Sequence, residues 1–523
     1  MPACHHCCPV SSRLTYQCLP TLRTGIAILW LLSVLASGDI LAAQDQHPSS
    51  LADKSQLTCT SIPWTTEDST AGLQVNGIQI NAGDLFNDQR RNESQIFHSA
   101  ANALHIATRN RTVLQALPFR RGDVLVKDSL EEAERVLRSR RYLRSASVVP
   151  VSRCGETVDI EVRTVDNWTL TPSISLSSKG GVERYKIEVQ DLNVLGLGKE
   201  LTFRQEESDG ERETRFVYGD DNVLGSQHRL RLTLGATDSG DLYGLSIGRP
   251  FVSSQTATSW WIDAAEESKA LSTTLTNATS NINDNAELDG EDSIAQHTQV
   301  DVGLAKKLEH SDADVARLGV GFRHERQRTV DLRDIPIGDS SDFSEQYPYV
   351  YAQWARSNWT EQRNFLGLGK VEDIDTGLGV RIELGLILDA LGNDTDAVRV
   401  AGSLSRGFWT SPTSVHRLSL DQTHYFGDGT REKLHLGARY HYFRWLSQRD
   451  HLNLQIVADQ QRGYSRSDDI ELGGEFGLKG YRNGYQTGDT RLLGIAEYRH
   501  VTDWTPFALV NLGWGVFAEA GKA

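Results

Sequence analysis

Three short segments of the sequence carry residue types and spacings that are typical of chemical sites. Segment 5–8 (HHCC) supplies imidazole and thiolate groups, which are the ligands that zinc prefers. Segment 244–248 (GLSIG) matches the nucleophile elbow of serine hydrolases, in which Ser246 would be the nucleophile. Segment 367–370 (GLGK) resembles part of a phosphate-binding loop. Each of these chemistries requires a particular structural setting around the segment.

The surrounding sequence does not provide those settings. Segment 5–8 precedes an apolar run at 25–36 that is typical of a secretory signal peptide, so we expect both to be removed on export. Segment 244–248 lies inside an alternating strand pattern with no helix after it. Segment 367–370 has the wrong spacing, and no Ser or Thr follows its lysine. We therefore predict that the chain is not an enzyme and that it holds neither a cofactor nor a metal.

Charge and hydropathy exclude two further classes of protein. The net charge of −15 opposes binding to nucleic acid, which needs a concentrated basic surface. Charged residues make up 24% of the chain, and no apolar run reaches the roughly 20 residues that a membrane-spanning helix needs. A membrane-spanning β-barrel is still compatible with this composition, because each of its strands needs apolar side chains on only one face.

The N-terminal region is predicted to be processed. Residues 1–43 are interpreted as a signal peptide, and residues 44–72 are polar and aperiodic, which predicts a flexible leader. Four of the six cysteines fall in the removed segment, which leaves Cys59 and Cys154. In an oxidising periplasm these two residues could form one disulfide.

Residues 73–166 show a mixed pattern that predicts a small α+β domain in the order β-α-α-β-β. The first helix is expected at 93–116. Asp128, followed by Glu131 three residues later, forms a capping pattern that predicts the start of the second helix. The expected strands are 73–80, 146–150 and 157–164, and the expected core stripe of the second helix is Leu130, Ala133 and Leu137.

Residues 167–523 carry segment after segment of alternating polarity, for example 434–442 (LHLGARYHY). Several segments reach about ten residues, the length that a tilted strand needs to cross a bilayer, and many end in aromatic residues that suit its interfaces. The pattern predicts a mainly β fold, a transmembrane antiparallel barrel of about 16 to 20 strands, with polar side chains, including His424, His435 and His441, facing a wet lumen.

The connections between these segments predict the orientation of the barrel. Long polar insertions at 268–296, 329–346 and 463–488 all follow odd-numbered strands, so they are expected on one side, as extracellular loops. The count of about 17 strands is odd, and the chain stops directly after a strand. Because single-chain bacterial barrels normally have an even number, the last strands are expected to be missing.

Several motifs together resemble the BamA/TamA family of outer membrane proteins, also called the bacterial surface antigen family. Segment 473–481 (GGEFGLKGY) resembles its lumen loop, whose fingerprint corresponds here to Leu478, Lys479, Gly480 and Tyr481. The lysine replaces the family's arginine and so lacks its planar fork. The domain at 73–166 resembles the family's POTRA domain in its segments 119–123, 130–138 and 166–168, and segments 191–198 and 220–225 resemble its periplasmic turns.

The resemblance implies a protein of the bacterial outer membrane whose N-terminal domain lies in the periplasm and which inserts or translocates other proteins. The implied partners are unfolded outer membrane or secreted clients, outer membrane lipid and periplasmic accessory proteins. Lys479 is expected to pair with a carboxylate of the inner wall, with Glu497 as the candidate and Arg499 beside it.

Two alternatives stay open at this stage. The first is a passive or secretion pore of the outer membrane, plugged by the motif loop. The second is an outer membrane hydrolase that uses Ser246.

Overall fold

The structure is a computed structural model. The residues that it describes are 62–63, 70–83, 106–179, 182–208, 211–271, 293–308, 314–330, 342–367, 371–427, 433–464, 470–482, 484–502, 504 and 512–523. The predicted signal peptide, Cys59 and residues 93–105 of the first predicted helix lie outside them. Among the described residues, no helix combines the length and the apolar character that crossing a membrane requires.

A small N-terminal module combines one sheet with two helices. Its elements are β1 (Ile62–Pro63), β2 (Gln74–Gly83), α1 (Asn110–Ala116), α2 (Ser129–Arg138), β3 (Leu143–Cys154) and β4 (Thr157–Asp166). The strand order is β1-β3-β4-β2, and β2 runs parallel to β4. Ala133 and Leu137 of α2 are fully buried against the sheet, with Leu130 packed beside them, as the apolar stripe predicts.

The start of α1 and the capping of α2 differ from the sequence prediction. Residues 106–109 are not helical, because the backbone N–H of Arg109 donates to the carbonyl of Gly196 at 3.0 Å instead. α2 begins directly after Asp128 as predicted, but the predicted capping is wrong. Asp128 has a left-handed backbone (φ 62°), and its side chain makes no capping hydrogen bond.

The remaining strands, in chain order, are β5 (Leu170–Lys179), β6 (Val182–Asp191), β7 (Lys199–Ser208), β8 (Glu211–Asp220), β9 (Arg229–Thr237), β10 (Gly240–Arg249), β11 (Thr258–Leu271), β12 (Ser293–Leu308), β13 (Asp314–Val330), β14 (Phe343–Arg356), β15 (Trp359–Arg363), β16 (Val371–Asp375), β17 (Leu378–Ile387), β18 (Ala397–Ser411), β19 (Ser414–Gly427), β20 (Lys433–Trp445), β21 (Asp450–Arg462), β22 (Ile470–Leu472), β23 (Gln486–Gly488), β24 (Thr490–Val501) and β25 (Gly513–Lys522). Two pairs, β15–β16 and β22–β23, form separate hairpins. The other 17 strands form a closed barrel, which confirms the predicted mainly β fold and its strand number.

The barrel closes where its first and last strands, β5 and β25, become neighbours. Sixteen antiparallel steps lead from β5 to β25, so these two strands run in the same direction. The other neighbours pair residue by residue, for instance from Leu308↔Ala316 to Ile294↔Val330 in β12–β13. β5 and β25 are hydrogen-bonded neighbours, but in the described chain no comparable register joins them. Adjacent residues Val516 and Phe517, which point to opposite faces of β25, are 60% and 54% exposed. We call this junction the seam.

Side chains alternate between the two faces of the barrel wall. Tyr347, Tyr349 and Tyr351 of β14 are buried on one face, while Val350 between them is exposed on the other. The tyrosine face carries paired charges: Arg323 bonds Asp301 at 2.6 Å, and Arg399 bonds Glu383 at 2.9 Å. The opposite face carries mostly apolar side chains. We call the polar face the inner wall.

The alternation also corrects one detail of the sequence prediction. His435 and His441 lie on the inner wall, as predicted. His424 instead shares the outer face with Phe426, whose ring centroid is 3.7 Å from its own. The prediction that His424 faces the lumen is therefore wrong, because Tyr425 takes the inward position at that point of β19.

The module is docked on turns at one end of the barrel. The β6–β7 turn brings the buried Asn193 to Thr108 of the module, whose hydroxyl accepts its amide at 2.8 Å. Thr112 donates to the carbonyl of Gly196 in the same turn at 2.8 Å. Arg140 pairs with Asp221 of the β8–β9 turn at 2.6 Å. These turns follow even-numbered barrel strands, whereas β11, β13 and β21, which precede the three long connections, are odd-numbered and end at the opposite mouth of the barrel.

A third turn is held by α2. The carboxylate of Glu132 accepts the backbone N–H of Ser254 at 2.6 Å and its hydroxyl at 2.9 Å, in the β10–β11 turn. Tyr142 is buried near the first turn, and burial raises the pKa of its phenol to about 12. Three successive turns thus fix the module to the barrel mouth.

We expect Gly196→Ala to loosen this docking. A Cβ at Gly196 (φ +74°) would lie 2.4 Å from the carbonyl oxygen of Ala107, so the turn and the module must separate. Gly155→Ala is the matched control, because Gly155 has a similar φ of +60° but open space around it, and both variants share a backbone strain of about 1–2 kcal/mol. Hydrogen exchange of the full chain should accelerate at residues 108–113 in Gly196→Ala only. Equal exchange in both variants would contradict this docking.

Candidate functional site

The motif loop connects β21 to β24, at the end of the barrel opposite the module. Within it, β22 pairs with β23, and a 3₁₀ turn at Gly474–Phe476 follows β22. Leu478 is buried against Leu472 and Leu493. Since Leu493 lies on the inner wall, the loop folds back into the barrel and rests on β24. We call this segment the lumen loop.

Two glycines of the lumen loop are required by close approach. Gly473 has φ +131°, and a Cβ there would lie 2.1 Å from the carbonyl oxygen of Arg482. Gly477 has φ +103°, and its Cβ would lie 2.3 Å from a methyl group of Leu493. Only glycine fits both conditions. The glycines therefore allow the loop to lie flat against the strand.

Lys479 connects the lumen loop to the last strand of the barrel. Its ammonium group lies 2.8 Å from Oε1 of Glu519 on β25, and its backbone N–H donates to Oε2 of the same carboxylate at 2.7 Å. The ammonium also lies 4.2 Å from the ring centroid of Phe517. The Glu519 side chain is only 5% exposed, so its charge depends on hydrogen-bond donors such as these two. We call this arrangement the clamp.

Glu497 and Arg499 lie next to the clamp on β24 but pair with each other. Nη2 of Arg499 is 2.7 Å from Oε2 of Glu497, and Asn453 donates to the same oxygen at 3.3 Å. The direct partner of Lys479 is thus Glu519, which the sequence reasoning did not single out. Glu519 lies opposite Ile495 in the β24–β25 register, and strand register of this kind cannot be inferred from spacing along the chain.

The other two motif residues make fewer contacts. A Cβ at Gly480 would meet no atom within 4 Å, so packing does not require glycine there. Tyr481 is half-exposed and lies against Tyr485, with ring centroids 4.5 Å apart. The structure therefore brings Leu478 and Lys479 into contact with the wall and leaves Gly480 and Tyr481 facing outward from it.

Cys154 ends β3 and is disulfide-bonded. The other half of the predicted pair, Cys59, lies outside the described residues. The pairing of Cys59 with Cys154 therefore stays a prediction.

The segments that resemble chemical sites have other settings in the structure. Segment 244–248 lies inside β10, and β11 is the next element, so Ser246 does not occupy the strand-turn-helix geometry of a nucleophile elbow. Gly367 lies in the β15–β16 connection, and residues 368–370 fall outside the described part. Among the described residues, no group of His, Cys, Asp and Glu side chains could hold a metal ion.

We expect the clamp to depend more on Glu519 than on Lys479. Glu519→Ala removes the acceptor of two hydrogen bonds, whereas Lys479→Ala removes one donor and keeps the backbone bond. Each bond to a charged group contributes about 1.5–3 kcal/mol. Hydrogen exchange at the backbone amide of residue 479 should therefore accelerate roughly tenfold or more in Glu519→Ala. The acceleration should be smaller in Lys479→Ala. Glu497→Ala is the control, and an equal effect there would contradict the clamp.

Comparison with known proteins gives structural matches only. No protein-family model and no curated protein matches the chain. Among solved structures, the chain is similar to BamA from Haemophilus ducreyi lacking POTRA domains 1–3, at 10% identity, with 88% of this chain and 89% of that chain covered and a TM-score of 0.33.

Two further structures are CdiB proteins. CdiB from Acinetobacter baumannii is 10% identical, with 86% of this chain and 74% of that chain covered and a TM-score of 0.40. CdiB from Escherichia coli is 12% identical, with 88% and 81% covered and a TM-score of 0.41. BamA, whose family the sequence motifs resemble, is thus among the structures to which this chain is similar.

Proposed function

We propose that this chain is a bacterial outer membrane barrel that inserts or translocates client proteins. The observation that carries the proposal is the clamp: a loop inside the barrel holds β25, which is one of the two strands at the seam. A barrel that served only as a rigid wall would gain little from an internal loop fixed at its least paired junction.

The outer face of the barrel supports its placement in a membrane. Its strands present apolar side chains outward, such as Ile382 and Leu404, which suits contact with lipid. Trp260, Trp354 and Trp514 lie on the outer face near the module end, where an aromatic girdle meets the membrane interface. The module would then lie in the periplasm, and the long connections would face outward.

The seam gives the proposal its mechanism. If β5 and β25 separated, each would expose backbone groups that lipid cannot hydrogen-bond, and a client strand that pairs with either of them would satisfy these groups. Release of the lumen loop would free β25 for this pairing. The free energy would come from folding of the client.

The module supports the capture of clients. β2 is an edge strand of its sheet with a bridge from Gln74 to Val124 near its start, and among the described residues β1 pairs with β3 only at Arg153 and Ser152. Exposed sheet edges bind extended segments through their backbone, which tolerates many sequences. Docking on three turns would hold such a segment at the barrel mouth. Other periplasmic proteins could bind the same edges.

A pore is the second candidate, and the inner wall favours it. Charged pairs such as Arg323–Asp301 and Arg491–Asp459 line the inside of the barrel, as expected for a wall that faces water. In that case the lumen loop would act as a plug.

The deciding experiment depletes the full-length protein in cells and quantifies the outer membrane proteome. We expect selective loss of barrel or secreted clients, reproduced by Lys479→Ala and Glu519→Ala, because loss of a charged hydrogen bond lowers the ratio of clamped to released loop by roughly tenfold or more. The exchanged pair Lys479→Glu with Glu519→Lys should restore part of the activity.

Two controls separate the candidates. Glu497→Gln alters a neighbouring carboxylate that makes none of the hydrogen bonds of the clamp, and it should leave the proteome unchanged. An unchanged proteome in the clamp variants, together with altered solute permeability, would reject the insertion role and favour the pore.

A further inference from the structure

The β15–β16 hairpin places a buried aromatic side chain inside the barrel. It connects β14 to β17 at the module end. Phe365, just after β15, is 3% exposed. Its ring centroid lies 5.0 Å from that of Phe443 and 6.0 Å from that of Trp445. The hairpin thus reaches from the β14–β17 junction to the inner wall of β20.

The cleft that receives Phe365 belongs to the barrel and not to the hairpin. Its side chains come from the inner wall of four neighbouring strands: Trp409 of β18, Val415 of β19, His441, Phe443 and Trp445 of β20, and His451 of β21. Trp409 and Trp445 stack on each other with centroids 5.8 Å apart. Barrel pairing holds these positions independently of the hairpin.

The cleft also offers hydrogen bonds to a peptide backbone. The indole N–H of Trp445 donates to the carbonyl oxygen of Arg363 at 2.9 Å, a contact that any extended peptide could provide. His451 is 1% exposed, and neither of its ring nitrogens has a hydrogen-bond partner among the described residues. The same is true there of the indole nitrogen of Trp409. Buried polar groups normally find partners, so these groups suit a polar ligand.

The module holds the hairpin from the other side. Arg138 of α2 lies 2.8 Å from a carboxylate oxygen of Asp373 and 2.8 Å from one of Glu361. Although burial disfavours its charge, these carboxylates raise the pKa of Arg138 above its ordinary value. Arg135 lies over the ring of Trp359, 5.6 Å from its centroid. We call the contacts of Arg138 the latch.

We propose that the cleft is a binding site for an aromatic side chain of an extended polypeptide, and that Phe365 occupies it as an internal ligand which a client segment displaces. The inference rests on the proposed function, which brings polypeptides to this mouth of the barrel. The aromatic walls select the side chain, and the indole donor of Trp445 recognises the backbone. The latch links displacement of the hairpin to the module that receives the client.

The test uses the purified full chain in detergent micelles and fluorescein-labelled peptides of about nine residues, the length of one barrel strand. The peptides contain Ser and Thr with a central Phe or a central Ala. Phe365→Ala should bind the Phe peptide roughly tenfold or more tightly than wild type, because the competing Phe side chain is gone. The latch variant Glu361→Gln/Asp373→Asn should also bind it more tightly. Fluorescence anisotropy measures both.

Matched variants make the result specific. Leu366→Ala changes the next residue, which is exposed and outside the cleft, and should bind as wild type does. Phe443→Leu added to Phe365→Ala should remove the gain, and the Ala peptide should show none. The proposal is overturned if Phe365→Ala and the latch variant bind the two peptides equally, or no more tightly than wild type.

Separate measurements test whether the variants fold and whether the proposed function holds. Heat-modified gel migration shows whether each barrel is folded, and if Phe365→Ala does not fold, the latch variant alone decides. If the aromatic peptide binds but depletion leaves the outer membrane proteome unchanged, the insertion role is rejected and the cleft is still supported as a binding site. Loss of clients on depletion without peptide binding would support the insertion role and reject the cleft as a binding site.

Discussion

Closure is the constraint on which the rest of this structure depends. A strand in a barrel needs two hydrogen-bonded neighbours, and with 17 strands the first and last necessarily run in the same direction. In the described residues, the other junctions carry antiparallel ladders, with a register shift in β18–β19, whereas β5 and β25 are hydrogen-bonded neighbours without a comparable register. Their side chains are correspondingly exposed on both faces. The clamp between Lys479 and Glu519 therefore holds the strand that has the least support from its neighbours.

Because side chains alternate between the two faces of each strand, every second side chain lies on the inner wall. Side chains that point inward must be paired or covered, and the chain uses both solutions. Charges such as Arg323 and Asp301 pair with each other across strands. Aromatic side chains such as Phe443 and Trp445 are covered by the hairpin at the module end. Leu493 is covered by the lumen loop at the other end. Both insertions thus cover apolar side chains of the inner wall.

The fold class could be predicted because the alternation of polar and apolar residues repeats in many strands. Errors in a few strands therefore do not change the predicted fold class. The start of α2 was located at Asp128, although its left-handed backbone is invisible in a capping pattern. The partner of Lys479 could not be found, because it depends on the register that places Glu519 near the loop. The β15–β16 hairpin cannot be predicted from the sequence pattern, because its strands have only five residues each, too few to show a period.

The contacts of the hairpin and those of the lumen loop lie at opposite ends of the barrel. At the module end, Arg138 touches the hairpin, and the hairpin touches the wall at Phe365. Movement of the module must therefore either carry the hairpin along or break the latch. At the far end, the lumen loop touches β24 and β25, and none of its described hydrogen bonds or ion pairs reaches the hairpin. Under the proposed function, arrival of a segment at the mouth and release of the seam would therefore be separate events.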